Sequence, residues 1–129
     1  MITKEELGVL ADRLRVPGDT EAVAACVRFV VSDSLGVGHG RRRALMCRRL
    51  RYVELDQAQQ EELVTCISHR LRGGDFGAQF RDQLRLALHL DAAAVRASLR
   101  WCKSDGRAHM QRIVTYLEQR LQGAPYLAR

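Results

Sequence analysis

The sequence has few aromatic residues and few prolines. Phe, Trp and Tyr together make up 5% of the 129 residues, and proline occurs twice. A core with so few large rings must be built from Leu, Val and Ala, and this composition favours helices over sheets. No segment keeps the alternating apolar and polar pattern of a strand, so we predict no β-sheet.

Long apolar runs are also missing. Runs such as Ala22 to Val27 and Phe29 to Val31 fall far short of the ~20 residues that a membrane-spanning helix needs. The chain carries charge from Lys4 onward and shows no apolar leader segment near its start, so we expect no signal peptide. We therefore expect a cytoplasmic protein that has no membrane partner, and a length typical of one domain.

Motifs for metal binding and catalysis are absent from the sequence. The four histidines are spread along the chain, and neither His-Glu-x-x-His nor Cys-x-x-Cys occurs. The four cysteines fall in apolar helical stripes, which favours buried free thiols over disulfides. The acidic pairs Glu5-Glu6 and Glu61-Glu62 lie in predicted first turns, where they favour the helix dipole. We predict no metal, no cofactor and no enzymatic activity.

Capping residues and apolar stripes predict seven amphipathic helices. Thr3 with Glu6 and Asp56 with Gln59 form capping pairs at two helix starts, and Gly73-Gly74 ends the fourth helix. The third helix is predicted over residues 41–53, the fifth over 76–90, and the seventh from Ser104 or Asp105. Short connections make successive helices antiparallel. The prediction is an all-α domain over residues 1–122, followed by a flexible tail over 123–129.

Two of these helices share a pattern. Arg41-x-x-Ala-x-Met-Cys-x-x-Leu50 is echoed 40 residues later by Arg81-x-x-Leu-x-Leu-Ala-x-x-Leu90, and in part by Arg107-x-x-Met110 with Ile113. A period near 40 with paired short helices resembles the HEAT or armadillo class of helical repeats over residues 41–122. The resemblance implies a curved, compact stack of helix pairs whose surface binds a protein or nucleic-acid partner, without catalysis.

The positive charge is concentrated in one short segment. The chain has 21 basic and 15 acidic residues, a net charge of +6. Six arginines and no acidic residue lie between positions 41 and 51, so this segment accounts for the whole excess. They are Arg41, Arg42, Arg43, Arg48, Arg49 and Arg51.

This segment forms an amphipathic helix. Met46, Cys47, Leu50 and Val53 share one face at helical spacing, and arginines cover the opposite face. We interpret the chain as a non-enzymatic binding or adaptor module that engages an acidic protein partner through this helix. One alternative is a nucleic-acid-binding protein that uses the same arginines on phosphates and Tyr52 to stack on a base. A second alternative is a small inhibitor or regulatory subunit. The remaining alternative is a solvated face neutralised by acidic residues of neighbouring helices.

A glycine-rich run precedes the arginine helix. Gly36-Val37-Gly38-His39-Gly40 leads into a helix start, where backbone amides and the helix dipole attract anions. The match to a phosphate loop is partial, because the run ends in Gly-Arg-Arg-Arg rather than Gly-Lys-Ser/Thr. The alternative is a flexible connection. Trp101, one residue from an apolar stripe, marks either an exposed partner surface or a partly buried edge.

Overall fold

The computed structural model describes residues 2–77 and 79–122. This part of the chain forms seven α-helices and contains no strand, so the all-helical prediction is confirmed. The predicted tail over 123–129 lies outside the described residues. The helices are α1 (Lys4–Arg13), α2 (Thr20–Val31), α3 (His39–Leu50), α4 (Gln57–Gly73), α5 (Phe80–Leu90), α6 (Ala92–Cys102) and α7 (Ala108–Gln122).

Side-chain caps begin four of the helices. The side chains of Thr3, Asp19, Asp56 and Asp91 each accept a hydrogen bond from a backbone amide of the first turn. Asp56 forms the complete capping box that its spacing from Gln59 predicts. These local signals fix where the polypeptide enters each helix.

Four helix boundaries, in α3, α5 and α7, differ from the prediction. Helix α3 spans His39–Leu50 rather than 41–53, and the left-handed Gly38 at φ 76° turns the chain into it. Helix α5 begins at Phe80 rather than at position 76, and Gly77 within the predicted first turn disfavours a helix there. Helix α7 begins at Ala108, since the Asp105 carboxylate accepts the Arg107 amide in a turn before it.

Helices α1, α3 and α5 pack side by side in one layer. The Arg42 Nε atom donates to the Lys4 carbonyl at 3.0 Å near the starts of α3 and α1. Near the opposite ends of the same helices, Arg49 Nη1 lies 3.0 Å from an Asp12 oxygen. Because the starts lie together and the ends lie together, α1 and α3 run in the same direction.

Helices α2, α4 and α6 form the second layer. Gln57 at the start of α4 and Asp91 before α6 border one hollow, and Cys102 Sγ near the end of α6 lies 3.7 Å from the Leu71 carbonyl near the end of α4. Parallel helices within each layer and antiparallel successive helices give a stack of helix pairs, with α7 packed on α6. Membership of the HEAT or armadillo class stays a prediction.

The core lies between the two layers. One cluster of buried apolar side chains draws on all seven helices. The stripe of Met46, Cys47 and Leu50 faces inward as predicted, and Val53 packs against the cluster from its edge. All four cysteines are free; Cys66 is half-buried and the other three are buried. Within the described residues, no helix is long and apolar enough to cross a membrane.

Candidate functional site

Arg43 lies inside the protein rather than on its exposed surface. Only 8% of the residue is exposed, and its Nη2 atom donates to the carbonyls of Ser32 at 3.2 Å and Ser34 at 2.9 Å. The guanidinium carbon also lies 4.9 Å from the centre of the Phe29 ring. Burial lowers the pKa of Arg43, and the nearby Arg70 charge adds to this shift. Arg43 therefore stabilises the connection between α2 and α3 through its hydrogen bonds. Its charge is not exposed to a partner.

Arg42 and Arg49 face α1. Arg42 donates to the Lys4 carbonyl, and its guanidinium lies over Gly8, where an added Cβ would come within 3.3 Å of its central carbon. The Arg49 side chain is 17% exposed and pairs with Asp12. Both arginines join α3 to α1: Arg49 forms an ion pair, whereas Arg42 donates to a neutral carbonyl.

Arg41 and Arg48 occupy the stripe of α3 that remains exposed. They lie two helical turns apart on one side of the helix. Arg48 Nη1 lies 2.8 Å from an Asp82 oxygen of α5, and half of its side chain stays exposed. Arg41 has no hydrogen-bond or ion-pair partner among the described residues. This stripe continues the charged surface from α3 toward α5.

A second group of arginines, which the sequence analysis missed, surrounds Tyr116 of α7. The guanidinium carbons of Arg81 and Arg120 lie 4.8 Å and 5.2 Å from the centre of the Tyr116 ring. Arg85 Nε donates to the Tyr116 hydroxyl at 3.0 Å, and this hydrogen bond is the main reason that the pKa of Arg85 is raised. The 40-residue echo aligns Arg81 with Arg41, but no sequence signal brings α7 to this position.

Among the described residues, Asp82 is the carboxylate in contact with this group. Its side chain is 17% exposed and lies 2.8 Å from Arg48 and 3.9 Å from Arg85. One carboxylate cannot neutralise the guanidiniums that α3, α5 and α7 bring to this surface. We call this surface the arginine face, and it consists of Arg41, Arg48, Arg81, Arg85 and Arg120.

Tyr52 and Arg51 lie apart from the arginine face. Tyr52 is 83% exposed, and the Arg51 guanidinium carbon lies 5.7 Å from the centre of its ring. Tyr52 borders a cleft of about 710 Å³ between the α1–α2 and α3–α4 connections, together with apolar residues such as Val16 and Leu55. Trp101 on α6 is 72% exposed, so the partly buried alternative for this side chain is wrong.

The buried thiols are poorly suited to nucleophilic chemistry. Burial raises the pKa of Cys47 to about 12 and that of Cys26 to about 11. The charges of Arg43 and Arg70 lower the pKa of Cys47, but burial outweighs them. In the part of the chain that the structure describes, no three His, Cys, Asp or Glu side chains are placed to hold a metal ion.

Comparisons of the chain with protein-family models, with curated proteins and with solved structures found no significant match. No relative therefore suggests a function. The arginine face is the strongest structural indication of a function, because it brings five guanidiniums together with one contacting carboxylate among the described residues.

Proposed function

We propose that this chain is a non-enzymatic binding module that engages an acidic protein partner through the arginine face. One observation carries the proposal: Tyr116 and Asp82 gather guanidiniums from α3, α5 and α7. Placing like charges close together is unfavourable unless nearby opposite charges neutralise them. A partner that supplies carboxylates would remove this repulsion.

Three arginines of the face are held in position by Tyr116 before a partner arrives. The guanidinium carbons of Arg81 and Arg120 lie over the Tyr116 ring, and Arg85 is hydrogen-bonded to its hydroxyl. Neither Arg81 nor Arg120 donates a hydrogen bond among the described residues, so their N–H groups are available for bidentate contacts with carboxylates. Because these side chains are already restrained, less side-chain entropy is lost when a partner binds.

The arrangement favours an acidic protein over a single-stranded nucleic acid. Single-strand binding draws on aromatic rings that stack on bases. The Tyr116 ring is already in contact with two guanidiniums, and the exposed Tyr52 borders a different part of the surface. The face therefore offers guanidinium groups without a ring free to stack on a base.

Fluorescence anisotropy with a labelled oligoglutamate peptide tests this function. The variant Arg81→Glu/Arg120→Glu reverses two charges that have no carboxylate partner in the described residues. We expect the wild type to bind the peptide and the variant to bind it at least about tenfold more weakly. This corresponds to a loss of ~1.4 kcal/mol in binding free energy. Circular dichroism verifies that both proteins are folded alike.

The control variant is Arg28→Glu/Arg96→Glu. Both arginines are exposed, lie on α2 and α6, and have no partner among the described residues, so the change in net charge is identical. An equal loss of affinity in both variants would show a dependence on net charge alone and contradict the proposal. Tighter binding of a labelled duplex oligonucleotide, with a steep dependence on salt, would show a nucleic-acid partner instead.

A further inference from the structure

The outer side of the second layer has a shallow groove between α4 and α6, which we call the α4–α6 groove. Its α6 side carries Ala94, Ala97 and Trp101, whose spacings of three and four residues place them on one side of the helix. Trp101 is 72% exposed, Ala97 is exposed, and Ala94 is half-buried. This side of the groove is therefore formed by small side chains, with one large exposed ring near the end of α6.

The α4 side of the groove carries a charge of each sign. Glu61 and Arg72 lie about three helical turns apart on one side of α4, and both are exposed. Glu61 borders a hollow together with Asp91, at the start of α6. Near the end of α6, burial and Asp105 raise the pKa of Cys102, and the nearby charge of Arg72 lowers it. The carboxylate thus lies at the helix starts, and the guanidinium lies at the helix ends beside the large ring.

Both charges are available to a partner. Among the described residues, neither Glu61 nor Arg72 forms an ion pair, and Glu61 accepts one hydrogen bond, from Gln57 of its own helix at 3.1 Å. Two further cations of α6, Arg96 and Arg100, border a hollow with residues of α7, on the other side of α6. They lie at the rim of the groove, where water and salt screen their charges.

We propose that the α4–α6 groove binds the same groove of a second copy of this chain, in a two-fold symmetric dimer with antiparallel helices. Every contact in such an interface occurs twice. Reversed packing places Arg72 of each copy on Glu61 of the other, and the Trp101 ring of each copy on Ala94 and Ala97 of the other. Parallel packing would instead bring the acidic helix starts together, and the basic helix ends together.

The charge pattern and the size of the groove favour a second copy as the partner. A groove with opposite charges at its two ends is complementary to itself when it is reversed. A face as long as α4 and two helices wide covers roughly 500 Å² on each copy. The total of about 1,000 Å² is near the lower limit for a specific interface, so we expect a weak dimer. The groove shares no residue with the arginine face, and the proposal is independent of the proposed function.

Charge reversal followed by rescue tests the pairing. Glu61→Arg and Arg72→Glu each place like charges opposite one another in the dimer, so each should weaken it at least tenfold. The double variant Glu61→Arg/Arg72→Glu restores opposite charges at the wild-type net charge of +6, and its dimer should be within about threefold of the wild type. The single changes shift the net charge in opposite directions, so a general charge effect would weaken only Glu61→Arg. Circular dichroism verifies that all four proteins are folded alike.

Sedimentation velocity over a series of protein concentrations measures the dimer. Trp101 is the single tryptophan of the chain, so its fluorescence reports burial of this ring. We expect the emission to move to shorter wavelength as the dimer forms, with the same midpoint as the sedimentation change. A protein that stays monomeric up to ~1 mM, a dimer with unchanged Trp101 emission, or a double variant as weak as the single variants would overturn the proposal.

Discussion

Arg43 and Arg41 lie two positions apart in the same run of arginines, yet the structure gives them opposite roles. Arg43 is buried against Phe29 and donates to two loop carbonyls, whereas Arg41 is exposed and has no partner among the described residues. The substitution Arg43→Ala should therefore destabilise the protein measurably, and Arg41→Ala should have almost no effect on stability.

The size of the effect follows from the contacts that each change removes. Without Arg43, the Ser34 carbonyl loses its side-chain donor, while the Ser32 carbonyl keeps the Arg70 hydrogen bond at 2.9 Å. One buried charged hydrogen bond contributes about 1.5–3 kcal/mol, and a guanidinium over an aromatic ring contributes ~0.5–2 kcal/mol. Relief of the unpaired Nε atom, about 1–3 kcal/mol, offsets a part, so we expect a net loss of about 1.5 kcal/mol. Arg41→Ala should remain within ~0.5 kcal/mol of the wild type.

Urea denaturation followed by circular dichroism measures this difference. With a urea slope of about 1–3 kcal/mol per M, a loss of about 1.5 kcal/mol lowers the urea midpoint by roughly 0.5–1.5 M. Arg41→Ala is the matched control, since it removes the same side chain from the same helix. If the midpoint of Arg43→Ala lies within error of that of Arg41→Ala, the inference that Arg43 fastens the α2–α3 connection is wrong.

Three further predictions concern the thiols, an ion pair and a glycine. Burial raises the pKa of Cys47 to about 12, so this thiol should resist iodoacetamide at ~pH 8 in the folded protein and react when the protein unfolds. Rapid labelling of Cys47 in the native protein, mapped by mass spectrometry, would contradict this prediction. Hydrogen bonds from Arg107 lower the pKa of Asp105 to about 2, so the stability that this pair contributes is complete above the ordinary carboxyl value of ~3.9 and is lost as the pH falls toward 2. The stability of Asp105→Asn should therefore not show this loss between about pH 4 and 2. Identical dependences of stability on pH for the wild type and Asp105→Asn would refute the role of the pair. Gly74 and Gly18 both have positive φ, at 74° and 83°, but only at Gly74 would a Cβ collide with the Arg107 guanidinium. Thermal denaturation should therefore show a larger loss for Gly74→Ala than for Gly18→Ala, and equal losses would argue against the crowding.

The helices were predictable because their signals are local. The capping box of Asp56 and Gln59 and the buried stripe of Met46, Cys47 and Leu50 depend on spacings of three or four residues. Tertiary contacts are not needed to recognise either pattern. For the same reason the helix ends marked by a clear cap were placed well, whereas the uncapped starts of α3 and α5 were misplaced.

The separate roles of the arginines were not predictable from the sequence. Arg43 is buried because the folded α2–α3 connection places the Ser32 and Ser34 carbonyls around it. Arg85 reaches Tyr116 across 31 residues of sequence. Such contacts depend on how the helices pack, and a count of charges in one segment does not contain that information. The sequence located a cationic helix, and the packing determines which cations remain exposed.

Peptide affinity tests the central claim most directly, because the two charge-reversed variants differ in position but not in net charge. The account predicts that Arg81→Glu/Arg120→Glu binds labelled oligoglutamate at least about tenfold more weakly than Arg28→Glu/Arg96→Glu at one salt concentration. Equal affinities of the two variants would contradict the assignment of binding to the arginine face.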